Sequence, residues 1–231
     1  MEITKDQLAK ATKELPKAVF CMDGRIRPNT PELRPFIGLA GSGVLLSDEQ
    51  LDIFVSKIKA AGIDSTEIAV TWHERCGACT VYKQEHPEDA RSQDELAEWG
   101  AKRLAHKLGS VKPILKIGWS NTCTIKAVGD PHRHAEPAII LDYLGKIDPK
   151  LVGLDDSFLL SHAYAPDNKW KERELGIALS ITMGKHGLGK EYFSKSPMPI
   201  YIVGRDIDVD VYNQVIANYR DLLFVKRVQL S

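Results

Sequence analysis

Two short segments gather residue types that bind metals and move protons. Cys21-Met22-Asp23-Gly24-Arg25 reads C-x-D-x-R, and His73-Glu74-Arg75-Cys76-Gly77 reads H-x-x-C-G. In a chain of this composition each spacing is expected by chance only about one time in a hundred. Two thiols and an imidazole (Cys21, Cys76 and His73) form a ligand set suited to Zn²⁺. Three protein ligands leave one tetrahedral position open, as catalytic zinc sites do. Zinc there lowers the pKa of a bound water to about 7. Asp23 and Arg25 stand two apart beside Cys21. An arginine pairing the carboxylate keeps it ionised and fixes its direction, so that Asp23 either orients a zinc-bound hydroxide or swings onto the metal and closes the fourth position. Alone, Asp23 and Arg25 would read as an ordinary ion pair; beside three ligand-type residues they read as functional.

These residues need a scaffold that brings two strand ends together. Lys17 to Met22 is a compact apolar run and predicts a buried strand with the first motif at its end; Thr66 to Trp72 predicts a second, with the His73 motif following it. Between them Ser47 opens a helix with Gln50 in capping-box register and a stripe of Leu51, Phe54, Val55 and Ile58, closed by Gly62. A strand, a crossover helix and a second strand form a right-handed βαβ unit, which puts both motifs at carboxyl ends of parallel strands, where open α/β sheets hold their sites. Cys76 then opens a helix that stops before Pro87, so the free amides and dipole at its N-terminus favour a thiolate. The rest predicts a short N-terminal helix from Thr4 to about Leu15, an irregular connection over Asp23 to Leu46, a helix from Ser92 to Gly109 and a strand over Val111 to Trp119. Farther on come strands at Ala138–Leu144, Phe158–His162, Ile200–Val203 and Leu222–Val228, with helices at Lys169–Met183 and Val209–Asp221. The alternation predicts an α/β fold with a mainly parallel sheet flanked by helices. We expect a single domain over 1–231, with 16–110 carrying the zinc-site motifs and 111–231 elaborating the same sheet. The sequence shows no internal repeat.

The pair of motifs resembles the β-class carbonic anhydrases over roughly Pro16 to Gly109. The resemblance implies that Cys21, His73 and Cys76 bind zinc and that Asp23 with Arg25 orients or gates the fourth position. It further implies reversible hydration of carbon dioxide to bicarbonate by zinc-bound hydroxide, and a homodimer or higher homo-oligomer. Where that family carries Arg-Asn-Ala-Gly-Asn, this chain has Gly38-Leu39-Ala40-Gly41-Ser42, sharing only Ala-Gly. Relatives on the same scaffold hydrolyse carbon disulfide or carbonyl sulfide, which is the same-scaffold alternative. A non-catalytic zinc-holding module whose C-terminal half blocks the pocket is the non-enzyme alternative.

Other motifs carry less. Cys76-Gly77-Ala78-Cys79 also spells a redox C-x-x-C, but Cys79 reads better as a small helix residue packing inward, and Cys123 as a buried side chain. His132, His134 and Glu136 would share a strand face and could bind a second metal or relay protons, yet after Asp130-Pro131 a polar loop is the simpler reading. Gly184 to Lys190 has P-loop spacing, but Glu191 replaces the Ser or Thr that binds Mg²⁺ and would repel phosphate. Over 231 residues, 31 Lys plus Arg balance 31 Asp plus Glu, which argues against nucleic acid and a polybasic membrane patch. No apolar run approaches the roughly 20 residues of a membrane span. The charged N-terminus lacks a signal-peptide core, and four cysteines without one predict cytoplasmic thiols or ligands.

Overall fold

Every residue of Ala18–Cys21 (β1) is buried, as befits a strand covered on both faces of a parallel sheet. In the computed structural model, which describes residues 3–23, 31–117, 138–155, 157–184, 189–205 and 209–229, β1 lies between Phe36–Leu39 (β2) and Ala69–His73 (β3), and Ile114–Ile117 (β4) follows at the edge. All pairings are parallel. The strand β2 falls inside the stretch expected to be irregular. It is only four residues long and framed by Pro35 and the Gly41–Gly43 turn, so its apolar signal is shorter than the breakers around it.

The helices start where their caps require. Thr4, Ser47 and Ser92 each accept from the third residue of the helix they open and receive its side chain in return, so Lys5–Ala11 (α1), Asp48–Ala60 (α2) and Gln93–Leu108 (α4) begin at capping boxes. Gly77–Glu85 (α3) begins directly after Cys76. The α2 stripe of Leu51, Phe54, Val55 and Ile58 is buried as predicted. Helix α1 is shorter than expected, ending at Ala11.

The second half does not extend the first sheet. Ile139–Asp142 (β5), Phe158–Leu160 (β6), Met198–Gly204 (β7) and Leu223–Gln229 (β8) form their own all-parallel sheet in the order β6-β5-β7-β8. Asn168–Met183 (α5), Gly189–Lys195 (α6) and Asn213–Ala217 (α7) accompany it. The expected helix over 209–221 is broken into α7 and two short 3₁₀ turns. The architecture is therefore α/β, with two four-stranded parallel sheets flanked by helices.

The strand order of the second sheet repeats that of the first. Ala18 pairs with Phe36 and Ala69, while Ile139 pairs with Phe158 and Ile200. On that register Cys21 and His73 correspond to Asp142 and Gly204, so the Cys and His pair occurs in the first sheet only. The match is one of strand pairing and not of residue type, so the sequence carries no trace of it.

The two sheets meet at β2 and β6. Leu159 donates its amide to Met22 O and Ser161 to Gly38 O, each at 3.0 Å. A Cβ on Gly38 would stand 1.9 Å from Leu159 O, so only glycine lets these backbones cross. One apolar core joins Val19, Ile37, Leu39 and Val70 to Ile139, Leu141, Leu160 and Ile200 beneath α2, α4 and α5. A second, on the opposite faces, joins Phe20 and Phe36 to Ile140, Leu159 and Tyr201 beside α1. No described helix is long and apolar enough to cross a membrane.

Candidate metal centre

The chain passes from β1 outward to β2 and then back past β1 to β3, so the order of strands switches between β1 and β3, the kind of point at whose carboxyl ends open α/β sheets hold their sites. Cys21 is the last residue of β1, His73 the last of β3, and Cys76 caps α3. The ligand atoms of Cys21, His73 and Cys76 all lie within 4.8 Å of one another. Cys21 Sγ and Cys76 Sγ are 3.9 Å apart, far beyond a disulfide bond and suited to two donors sharing one ion. All three are buried, at 5%, 2% and 1% exposure. This buried cluster could bind a metal ion.

Local backbone geometry aims the three side chains. His73 Nδ1 lies 2.8 Å from Glu74 O. With that nitrogen donating, Nε2 keeps the lone pair a metal requires. Two residues on, Arg75 adopts φ 53°, a left-handed turn that swings Cys76 back over His73. It is held by the Arg75 amide donating to Asp94 Oδ1 at 3.0 Å, from the first turn of α4. A non-glycine residue held there is strained, and such strain gathers at functional sites.

The thiols respond to this crowding. The hydrogen bond with Cys76, followed by burial, pushes Cys21 well above the ordinary thiol range. For Cys76 the hydrogen bond from Cys21 and the Ala78 amide at the helix N-terminus pull downward, while Cys79 and burial push upward and prevail.

Asp23 is buried; the pKa of His73 is raised from its ordinary value against the opposing pull of burial, chiefly by Cys21, with the Asp23 carboxylate adding to the rise. The structure therefore brings four of the five motif residues together at these strand ends; Arg25 lies outside the described residues. So do Cys123, His132, His134 and Glu136. Cys79 is buried and free, forming no disulfide with Cys76. The P-loop reading loses its context, because helix α5 and not a strand precedes the glycine-rich segment. Of that segment Lys185–Leu188 lies outside the described residues.

Several residues around the cluster carry no motif. The turn Ala40–Gly43 runs left-handed through Gly41, Ser42 and Gly43, at φ 56°, 51° and 95°. A Cβ on Gly41 would lie 3.5 Å from Cys76 Sγ, which places this turn against the ligand. Ser42 is 1% exposed, and its hydroxyl has no hydrogen-bond partner among the described residues. Such an orphan beside a site is a candidate to meet a small polar ligand. From the second half, Glu174 Oε1 accepts the Ala40 amide at 2.7 Å. The Ala40-Gly41-Ser42-Gly43 string hinted at the turn; nothing in the sequence pointed to Asp94 or Glu174.

The fold and the cluster define an α/β protein with a buried Cys₂His metal-type centre at the sheet's switch point. Set against family models, curated proteins and solved structures, the chain matches none.

Proposed function

We propose that the chain is a zinc-dependent hydratase of the β-class carbonic anhydrase type, interconverting carbon dioxide and bicarbonate. The observation that carries the reading is the sulfur spacing. Two thiolates about 2.3 Å from one tetrahedral zinc stand about 3.8 Å apart; Cys21 and Cys76 stand 3.9 Å apart with His73 completing the triangle. Cys21, His73 and Cys76 would hold the ion and leave a fourth position. Zinc held there lowers the pKa of a bound water to about 7, giving a nucleophile at neutral pH. Asp23, buried beside His73, would hold or accept a proton on its carboxylate. Arg25 would fix its direction. Ser42 offers a hydroxyl donor from the adjacent turn.

The near-complete burial of the ligands supports one other reading, a closed metal module without turnover. Zinc content by mass spectrometry and stopped-flow CO₂ hydration separate the two, with Cys76→Ser and Asp23→Ala as variants. The hydratase reading expects one zinc per chain and fast hydration, with Cys76→Ser losing both and Asp23→Ala keeping zinc but losing rate. Zinc retained without hydration of CO₂ from about pH 6 to about 9 selects the closed module, unless carbonyl sulfide or carbon disulfide is turned over instead. Absence of any bound metal in protein purified without chelator refutes both.

A further inference from the structure

Helix α5 belongs to the second sheet, yet it touches the first sheet's centre on both sides of Cys76. Glu174 Oε1 accepts the Ala40 amide at 2.7 Å. A Cβ on Gly77 would lie 2.9 Å from Ile181 Cδ1, so Ile181 presses on the residue that follows Cys76. Glu174 and Ile181 are seven residues apart, two helical turns, and so share one face of α5. That face spans the Ala40–Gly43 turn and the start of α3, the two backbone segments that flank the Cys76 sulfur.

A buried carboxylate is a costly residue for mere packing. Glu174 is 1% exposed, and an apolar residue of similar volume at such a place is often as stable or more so. His162 Nε2 stands 3.2 Å from Glu174 Oε2, somewhat off the line of a hydrogen bond. His162 Nδ1 lies 2.5 Å from the Tyr212 hydroxyl, and that hydroxyl lies 2.7 Å from the Tyr143 hydroxyl. The imidazole ring also stacks on Tyr212. The Tyr212 hydroxyl therefore fixes His162, His162 packs beside one oxygen of Glu174, and the other oxygen accepts the amide of the turn that leans on Cys76.

We propose that Glu174 is a positioning residue of the metal centre: by gripping the Ala40 amide it sets the Ala40–Gly43 turn against Cys76, so that the second half of the chain supplies a wall the first half lacks. The proposal rests on the reading of Cys21, His73 and Cys76 as metal ligands. It makes Glu174 act through the backbone, without touching the ion.

Cobalt substitution tests it without recourse to activity. The full chain is titrated with Co²⁺, and the thiolate-to-cobalt charge-transfer band and the d–d bands are recorded beside the thermal midpoint. The variants are Glu174→Ala, Glu174→Asp, Glu174→Gln and, as a structural control remote from the metal centre, Arg34→Ala. Glu174→Ala is expected to bind cobalt about tenfold more weakly, the lower end for loss of a supporting group, with a shifted d–d spectrum. Glu174→Asp, whose carboxylate falls a methylene short of Ala40, should behave the same way and decides the matter if the alanine variant does not fold. Glu174→Gln keeps an oxygen for the Ala40 amide and should restore the spectrum, while Arg34→Ala should lose stability with an unaltered spectrum. A wild-type spectrum and affinity in Glu174→Asp, or a glutamine variant as impaired as the aspartate, overturns the positioning role while leaving the metal reading intact. Failure of the wild-type protein to take up cobalt overturns the metal reading, and this proposal with it.

Discussion

Gly41 offers a perturbation whose size can be worked out with an internal control. Replacing it by alanine does two things. It forces an L side chain into φ 56°, at a cost of about 1–2 kcal/mol. It also places a Cβ 2.6 Å from Val44 Cγ1 and 2.8 Å from Ala78 Cβ, overlaps that cost about 1–3 kcal/mol to relieve in a packed core. Gly62 has the same hand, φ 76°, with nothing within 4 Å of the added methyl, so Gly62→Ala bears the backbone cost alone. The difference between the two variants isolates the clash. Urea unfolding should show Gly41→Ala less stable than Gly62→Ala by about 1–3 kcal/mol, and its thermal midpoint should fall by about 5–15 °C from wild type. Relief requires the turn to back away from Ala78, and so from Cys76 Sγ at 3.5 Å. The penalty should therefore grow when zinc fixes Cys76 in place. If Gly41→Ala is no worse than Gly62→Ala, with and without metal, the turn does not lean on the centre and the geometric argument fails.

Two further perturbations probe how the halves hold together. Arg34 bridges Asp148 and Asp155, each at 2.6 Å, joining the start of β2 to the second half. Arg34→Ala should cost about 2–3 kcal/mol in urea unfolding, and a loss below about 0.5 kcal/mol would mark the bridge as solvent-screened. Asp142, at the strand end that corresponds to Cys21, has its carboxyl pushed up from 3.8 to about 6 by burial, against the pull of the Ile147, Leu144 and Gly145 amides. The native state then keeps a proton that the unfolded chain releases. This contribution, about 3 kcal/mol, is fully present below about pH 4 and is lost as pH rises through about 6. Wild type should lose stability relative to Asp142→Asn across that window, and a pH-independent difference would refute the assignment.

The legible parts of the fold are those whose signals are local. Ser47 with Gln50 and Ser92 with Glu95 announce helices because the cap is a reciprocal contact within one turn. The strands β1 and β3 announce themselves because burial on both faces demands unbroken apolar runs. What failed was non-local. Four residues, Phe36–Leu39, become a strand only because β1 lies beside them and β6 crosses at Gly38. Nothing in a strand's own sequence says which sheet edge it will join, so the second sheet is not legible as separate from the first. The repeated strand order is a property of pairing register and has no sequence signal.

The centre divides along the same line. Cys21, Asp23, His73 and Cys76 were readable because metal and proton chemistry restrict residue type, and because two βα turns fix their spacing. The residues that shape the space around them obey no such restriction. Asp94 acts through one backbone amide, and Glu174 through another, from a helix more than a hundred positions away in sequence. A carboxylate gripping an amide can come from any element that passes nearby, so its identity is set by the way the two sheets meet at Gly38 and Leu159. The second half carries no Cys or His where β1 and β3 end, yet Glu174 of its helix α5 accepts the amide of the turn beside Cys76. On the proposed reading, one half supplies the donors and the other holds the backbone around them.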